Sequence, residues 1–152
     1  MKLFSKSYSF LLLLILLVGC KSTALFDQYA YVEATSIKVD ALSLISHSSA
    51  NYADYEKEVN ALNIKIEKVY EYEKHRANNE TSAQLWELLK SPDKNLLGGL
   101  LKKWKTDSRL SEAFAQEAKV QASEAFDIII ELESKKIKPS DDLVIKFLNK
   151  QK

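Results

Sequence analysis

The 152-residue sequence has one cysteine, two prolines, three glycines, two histidines and a single methionine at its start. Each scarcity excludes something. One thiol, Cys20, cannot close an intramolecular disulfide, so no covalent staple supports the fold. With Gly98, Gly99, Pro92 and Pro139 the only strong breakers after residue 20, the chain cannot turn often enough for a many-stranded sheet. Neither charge sign dominates: 22 Lys and Arg stand against 21 Asp and Glu, a formal net charge of +1. Nucleic-acid binding needs a basic face and a disordered acidic tail needs a large excess of one sign; neither is here, and no nucleic-acid partner is expected. There is no phosphate loop, no Gly-x-Ser-x-Gly elbow and no zinc-protease motif. Gly98-Gly99 is a pair and not a dinucleotide fingerprint. Catalysis and a cofactor are not inferred from the sequence.

What is present begins at the N-terminus. Lys2 and Lys6 precede an unbroken apolar run from Phe10 to Val18, which ends at Gly19-Cys20. A basic start, a short apolar centre and a small residue before the break are the parts of an export signal. The run is shorter than the roughly 20 apolar residues that a membrane span needs. Leu17-Val18-Gly19-Cys20 resembles the lipobox of bacterial lipoproteins. The resemblance covers this segment only. It implies a thioether-linked diacylglycerol on Cys20, cleavage before it and a further fatty-acyl chain, such as palmitate, on the new amine. Two or more acyl chains anchor stably, at ~0.8 kcal/mol per buried methylene. Lys21, where some lipoproteins have Asp, implies by the same resemblance the periplasmic face of the outer membrane if the envelope is Gram-negative. The chain thus divides into a cleaved signal helix (1–19), a short tether (20–23) and a helical domain (24–152), and the membrane is its first expected partner.

The domain is rich in Ala, Leu, Lys and Glu, which favour helices. A first helix is expected over 25–47, with Leu25, Tyr29, Val32, Ser36, Val39 and Leu42 as its apolar stripe and Phe26, Ile37, Leu44 and Ile45 widening it. A second, over 52–76, carries Tyr55, Val59, Leu62, Ile66 and Val69 at alternating steps of four and three, a bundle seam. Thr81-Ser82-Ala83-Gln84 reads as a capping box for a short helix over 82–90. Ser91-Pro92 reads as the cap and first turn of another, ending near 104–106. A last long helix runs from after Ser111 to about 136, with Phe114, Ala118, Ala122, Ala125, Ile129 and Leu132 as its stripe. Pro139 stops it, and Ser140-Asp141-Asp142 caps a terminal helix. The expected fold is all-α: an antiparallel bundle of three long helices with two or three short ones.

Several groups are candidates for a function. Glu67, Glu71 and His75 share a helix face, but the Glu-x-x-His signature of di-iron bundles is absent; the ordinary reading is a solvated face with no metal. His47 fits a helix C-terminus, where the dipole favours it. Tyr31, Tyr52 and Tyr72 fall off the expected stripes, and exposed tyrosine suits a partner-binding face. In the segment Asp93–Lys105, Leu96, Leu97, Leu100, Leu101 and Trp104 fall on one helical face, with Lys94, Lys102, Lys103 and Lys105 beside it. Leu97, Leu101, Lys102, Lys103 and Trp104 could meet anionic lipid or a partner, or could close the core with the lysines in water. Gly98-Gly99 marks a bend or a close helix approach. The function expected is an envelope lipoprotein acting as a helical protein-interaction or structural module. The alternative is a lipid or small-ligand binder that uses the Leu96–Trp104 segment.

Overall fold

A computed structural model describes residues 24–134 and 141–150, and no strand occurs among them. The signal helix, the tether with Cys20, and the expected stop at Pro139 and cap at Ser140 lie outside the described residues. No described helix is long and apolar enough to cross a membrane. The helices are α1 (Gln28–Ile45), α2 (Glu56–Lys74), α3 (Glu80–Lys90), α4 (Leu97–Asp107), α5 (Glu112–Glu133) and α6 (Asp142–Lys150), with a 3-10 turn at Tyr52–Asp54 before α2.

Local chemistry sets the boundaries. Asp27 caps α1 by accepting the Ala30 N–H at 2.9 Å, and Ser111 caps α5 by accepting from Phe114 at 3.3 Å. Each satisfies a backbone donor that the first turn leaves free. In α2, Glu56 and Glu58 occupy the first turn and Lys74 the last, the polarity that the helix dipole favours. Expected starts move, that of α2 from 52 to Glu56 among them. α3 begins at Glu80 after Asn79, so Thr81 lies inside it and the capping box does not form. The chain from Ser91 to Leu96 is a turn, and α4 starts only at Leu97.

Both glycines lie in the first turn of α4. A Cβ on Gly98 would sit 2.1 Å from the Lys90 carbonyl oxygen, and one on Gly99 2.0 Å from that of Lys94. The start of α4 is therefore pressed onto the end of α3 and the turn that follows it. Of the two readings of this pair, close approach is the one observed.

α1 packs against α2 and α5, and α3 packs against the same two helices from the other side. Trp86 and Phe126 meet edge to face in the core, centroids 6.1 Å apart. α4 closes the end where α1 finishes: Leu110 N–H donates to the Ser48 carbonyl at 2.9 Å, Tyr52 N–H to Ser108 at 2.8 Å, and the Trp104 indole to Ala50 at 3.0 Å. The opposite end gathers the start of α1, the α2–α3 turn and the last turn of α5. Burying each large aromatic contributes about 1.5–3 kcal/mol.

The structure shifts the buried face of α1. Of the expected stripe, Leu25, Tyr29, Val32, Ser36 and Val39 face outward and Leu42 packs against the core; the buried face is Ala30, Ala34, Ile37, Ala41, Leu44 and Ile45. Alanine counts for little in an apolar pattern, but three alanines let α1 sit close to both neighbours, where branched side chains would hold them apart. Ile37, Leu44 and Ile45, read as the margin of the stripe, are its centre.

Candidate functional site

Two features are not accounted for by the core: a charged cluster at the foot of the molecule and the outward face of α1. The foot is built around Arg76, just past α2. Its Nη1 donates to Glu73 Oε2 at 2.9 Å and to Glu133 Oε2, from the end of α5, at 3.0 Å. Its Nη2 donates to the Leu25 carbonyl at 2.7 Å. Asn79 donates to the Glu73 carbonyl at 2.9 Å and also to its carboxylate, and Ser82 donates to Glu133. Glu73, Glu133, Asn79 and Ser82 are all buried.

Two carboxylates thus share one guanidinium away from water. If both ionise, the cluster keeps one uncompensated negative charge, which a low dielectric penalises heavily. Burial first, then the charge of Glu133, raises the Glu73 carboxyl from 4.5 to about 7. A carboxyl perturbed in this way can be a catalytic acid. Here the adjoining crevice, lined by residues such as Leu25, Asn79 and Glu133, has a volume of about 10 Å³, room for one water at most. No substrate fits there, and the arrangement is a fastening.

What it fastens is the segment leading into α1. Besides the Arg76 bond to Leu25, the Ala24 N–H donates to Asn78 at 3.1 Å, and the Tyr72 hydroxyl donates to Asp27 at 2.7 Å. The cap bond from Ala30, and then the Tyr72 hydroxyl, hold the Asp27 carboxyl below its ordinary range. Tyr29 packs edge-on against Tyr72, centroids 4.8 Å apart.

The outward face of α1 has a plain composition. Its exposed residues are Gln28, Tyr29, Tyr31, Val32, Thr35, Ser36, Val39 and Ser43, and none is charged. Val32 and Val39, 50% and 62% exposed, lie two turns apart along a shallow groove that Tyr31, Thr35, Ser36 and Asp40 also line. Charge enters only at the half-buried margins. Asp40 pairs with Lys65 of α2 at 2.6 Å on one side, and Lys38 pairs with Asp127 of α5 on the other. By contrast, the exposed side of α2 includes Glu56, Lys57, Glu58, Lys65, Glu67 and Lys68.

The residues singled out from the sequence separate accordingly. Tyr72 belongs to the foot. Tyr31 lies at the edge of the α1 face, its ring 6.3 Å from that of Phe26. Tyr52 is not an exposed partner residue: it is buried edge-on against Trp104 at 5.5 Å. Leu97, Leu101 and Trp104 are buried too, because α4 spends its apolar side closing the bundle, and they offer nothing to lipid or a partner. Lys102 and Lys103 stay exposed, but pair with Asp93 at 2.9 Å and Asp107 at 2.6 Å, which reduces their pull on an anionic surface. His47 stacks on Tyr55 at 5.0 Å. His75 and Glu71 make a surface pair, and the described residues contain no group of three or more His, Cys, Asp or Glu able to hold a metal.

Glu73, Arg76, Asn79, Ser82 and Glu133 were not singled out from the sequence, although one signal was there. The α2 seam of Val59, Leu62, Ile66 and Val69 continues by a step of four to Glu73, and a carboxylate at a seam position requires a buried partner.

The chain matches no protein-family model, and no curated protein or solved structure is significantly similar to it.

Proposed function

We propose that this chain is a lipid-anchored envelope protein whose helical body is a protein-interaction module with no chemistry of its own. The lipobox-like Leu17-Val18-Gly19-Cys20 supports acylation at Cys20, and Lys21 supports the periplasmic face of the outer membrane where the envelope has two membranes. The observation that carries the interaction role is the exposed side of α1, a helix of 18 residues whose exposed residues are uncharged, with Glu33, Lys38 and Asp40 at its half-buried margins. Surface helices ordinarily place charge there, whereas the centre of a protein interface is depleted in it.

The foot supports the same reading. It holds residues 24–27 against the body, so that only the tether of 20–23 separates the lipid from the fold. The orientation of α1 to the bilayer then follows from the fold and not from a free leash. The lipid-binding alternative keeps its lysines but loses the apolar side of the Leu96–Trp104 segment to the core.

Two measurements test the proposal together. An alkyne fatty-acid probe should label the chain in its host, and Cys20→Ser should abolish the label. A photo-crosslinker in place of Val39 should capture protein in the intact envelope, and one in place of Ile64, exposed on α2, should not. An unlabelled wild-type chain overturns the anchoring, and equal capture from both positions overturns the role of the α1 face.

A further inference from the structure

We infer that the foot of the molecule is a membrane-contact surface, in which Leu25, Phe26, Tyr29, Tyr31 and Tyr72 settle among the headgroups of the bilayer that holds Cys20. The inference rests on the anchoring reading and adds to it a second, non-covalent attachment.

The first argument is where apolar surface is exposed. Leu25 is 81% exposed, the most of any large apolar side chain among the described residues, and Phe26 is 48% exposed. Two ring pairs stand at the same end: Phe26 with Tyr31, centroids 6.3 Å apart, and Tyr29 with Tyr72 at 4.8 Å. The three tyrosines are exposed as well. Ile64 and Val120, by contrast, stand on separate helices, α2 and α5. Single exposed apolar side chains are ordinary, whereas a cluster marks a contact. Rings with a polar tip suit the boundary between lipid and water.

The second argument is reach. Four residue steps separate Cys20 from Ala24, where the fastened segment begins. Fully extended they span about 14 Å, little more than the width of one helix. The headgroup layer on each side of a bilayer is itself about 5–8 Å deep. A chain acylated at Cys20 therefore keeps Leu25 and Phe26 within touching distance of the headgroups, at a high effective concentration.

The third argument is that the foot is prepared for a less polar setting. A backbone group carried out of water must have a partner. The Ala24 N–H donates to the Asn78 carbonyl, and the Leu25 carbonyl accepts from Arg76. Tyr72 spends its hydroxyl on Asp27. Arg76 is occupied by Glu73 and Glu133, and Lys74 pairs with Glu71 at 3.2 Å. Charge also limits the depth. Half-buried Asp27 and exposed Glu80 stay among the headgroups, so the rings lie at the boundary and do not enter the hydrocarbon. Charges of both signs border the patch, so the contact is apolar and requires neither anionic lipid nor low salt.

Spin-label depth measurement tests this, using the acylated chain as its host makes it, in vesicles of neutral phosphatidylcholine. The sequence has no cysteine besides Cys20, which the lipid occupies, so an introduced cysteine is the one free thiol. A nitroxide at Gln28→Cys, beside the patch, is compared with one at Ile64→Cys on α2. Bilayer contact raises collisions with oxygen relative to a water-soluble nickel complex. That ratio is expected to be severalfold higher at position 28 than at 64, and unchanged by added salt or anionic lipid. Adding Leu25→Ser and Phe26→Ser should lower it to the value at 64, with helical circular dichroism and the thermal midpoint in place. The inference is overturned by equal ratios at the two positions, by a high ratio that survives the two serines, or by one that needs anionic lipid. It is also overturned if the label at 28 is shielded from oxygen and nickel alike, the outcome when protein covers the foot. A fatty-acid probe separates the failures. Acylated chain without contact at 28 overturns the membrane-facing foot and leaves the anchoring standing; a chain that takes up no fatty acid overturns both.

Discussion

Arg76 and Glu133, 57 residues apart in sequence, meet at 3.0 Å beneath Leu25, and through them the end of α5 holds the start of the domain. Four consequences of the fold can be measured.

Stability should fall as pH rises from about 5 to about 8, with the Glu73 carboxyl a main contributor. In the folded chain this group is raised from 4.5 to about 7. Between those values the folded state holds a proton that the unfolded state has released, so raising the pH favours unfolding. Arg76 and Glu133 are the charged groups facing it. Glu73→Gln, which mimics the protonated acid, should flatten that part of the profile. It should also raise stability at alkaline pH by on the order of 1–3 kcal/mol, read from urea denaturation at several pH values.

Arg76→Ala should destabilise strongly, by about 3–5 kcal/mol, because it leaves buried carboxylates without their counter-charge. The loss should be greater at pH 8 than at pH 5, where a proton on Glu73 removes one of the charges. Exchange of the Ala24 amide hydrogen, which pairs with Asn78, should also quicken. A loss independent of pH would argue against shared charge as the cause.

Gly98→Ala should cost about 3 kcal/mol or more, through forced movement of packed backbone. The added methyl has no flexible side chain to displace; it meets the Lys90 carbonyl itself. The thermal midpoint should drop while helical content at low temperature changes little.

Trp104→Phe and Trp86→Phe should differ even though both rings are buried. The Trp104 indole donates to Ala50 at 3.0 Å, and its loss also strands that carbonyl, a cost of about 1–3 kcal/mol added to the lost volume. The Trp86 N–H finds no partner among the described residues, so removing it relieves an unpaired donor and offsets part of the lost packing. Chemical denaturation of the two variants should show Trp104→Phe as the less stable.

How legible the fold was depended on which residues carried the pattern. The seam of α2 could be read because Val59, Leu62, Ile66 and Val69 are large, apolar and set among charges. The cap of α5 could be read because Ser111 stands directly before the helical run. The centre of the α1 stripe was misplaced, since half of its six buried residues are alanine and its exposed face contains valine and tyrosine. A pattern based on hydrophobicity cannot tell an apolar face that meets a neighbouring helix from one left outside. The start of α4 was misplaced because residues 91–96 form a turn, with Gly98 and Gly99 packed against the Lys90 and Lys94 carbonyls, a tertiary arrangement invisible to local propensity. The foot escaped because Glu73, Arg76 and Glu133 resemble any other charges on a Lys- and Glu-rich chain until the fold brings them together.

The fastening of Leu25 also fixes how the molecule takes mechanical load. If the chain is held by lipid at Cys20, a pull on the body reaches the fold at Ala24 and Leu25, where the bonds from Asn78 and Arg76 cross to the end of α2. Arg76 passes the force on to Glu133 at the end of α5. Tension is thereby divided between two helices before it can unwind the first turn of α1.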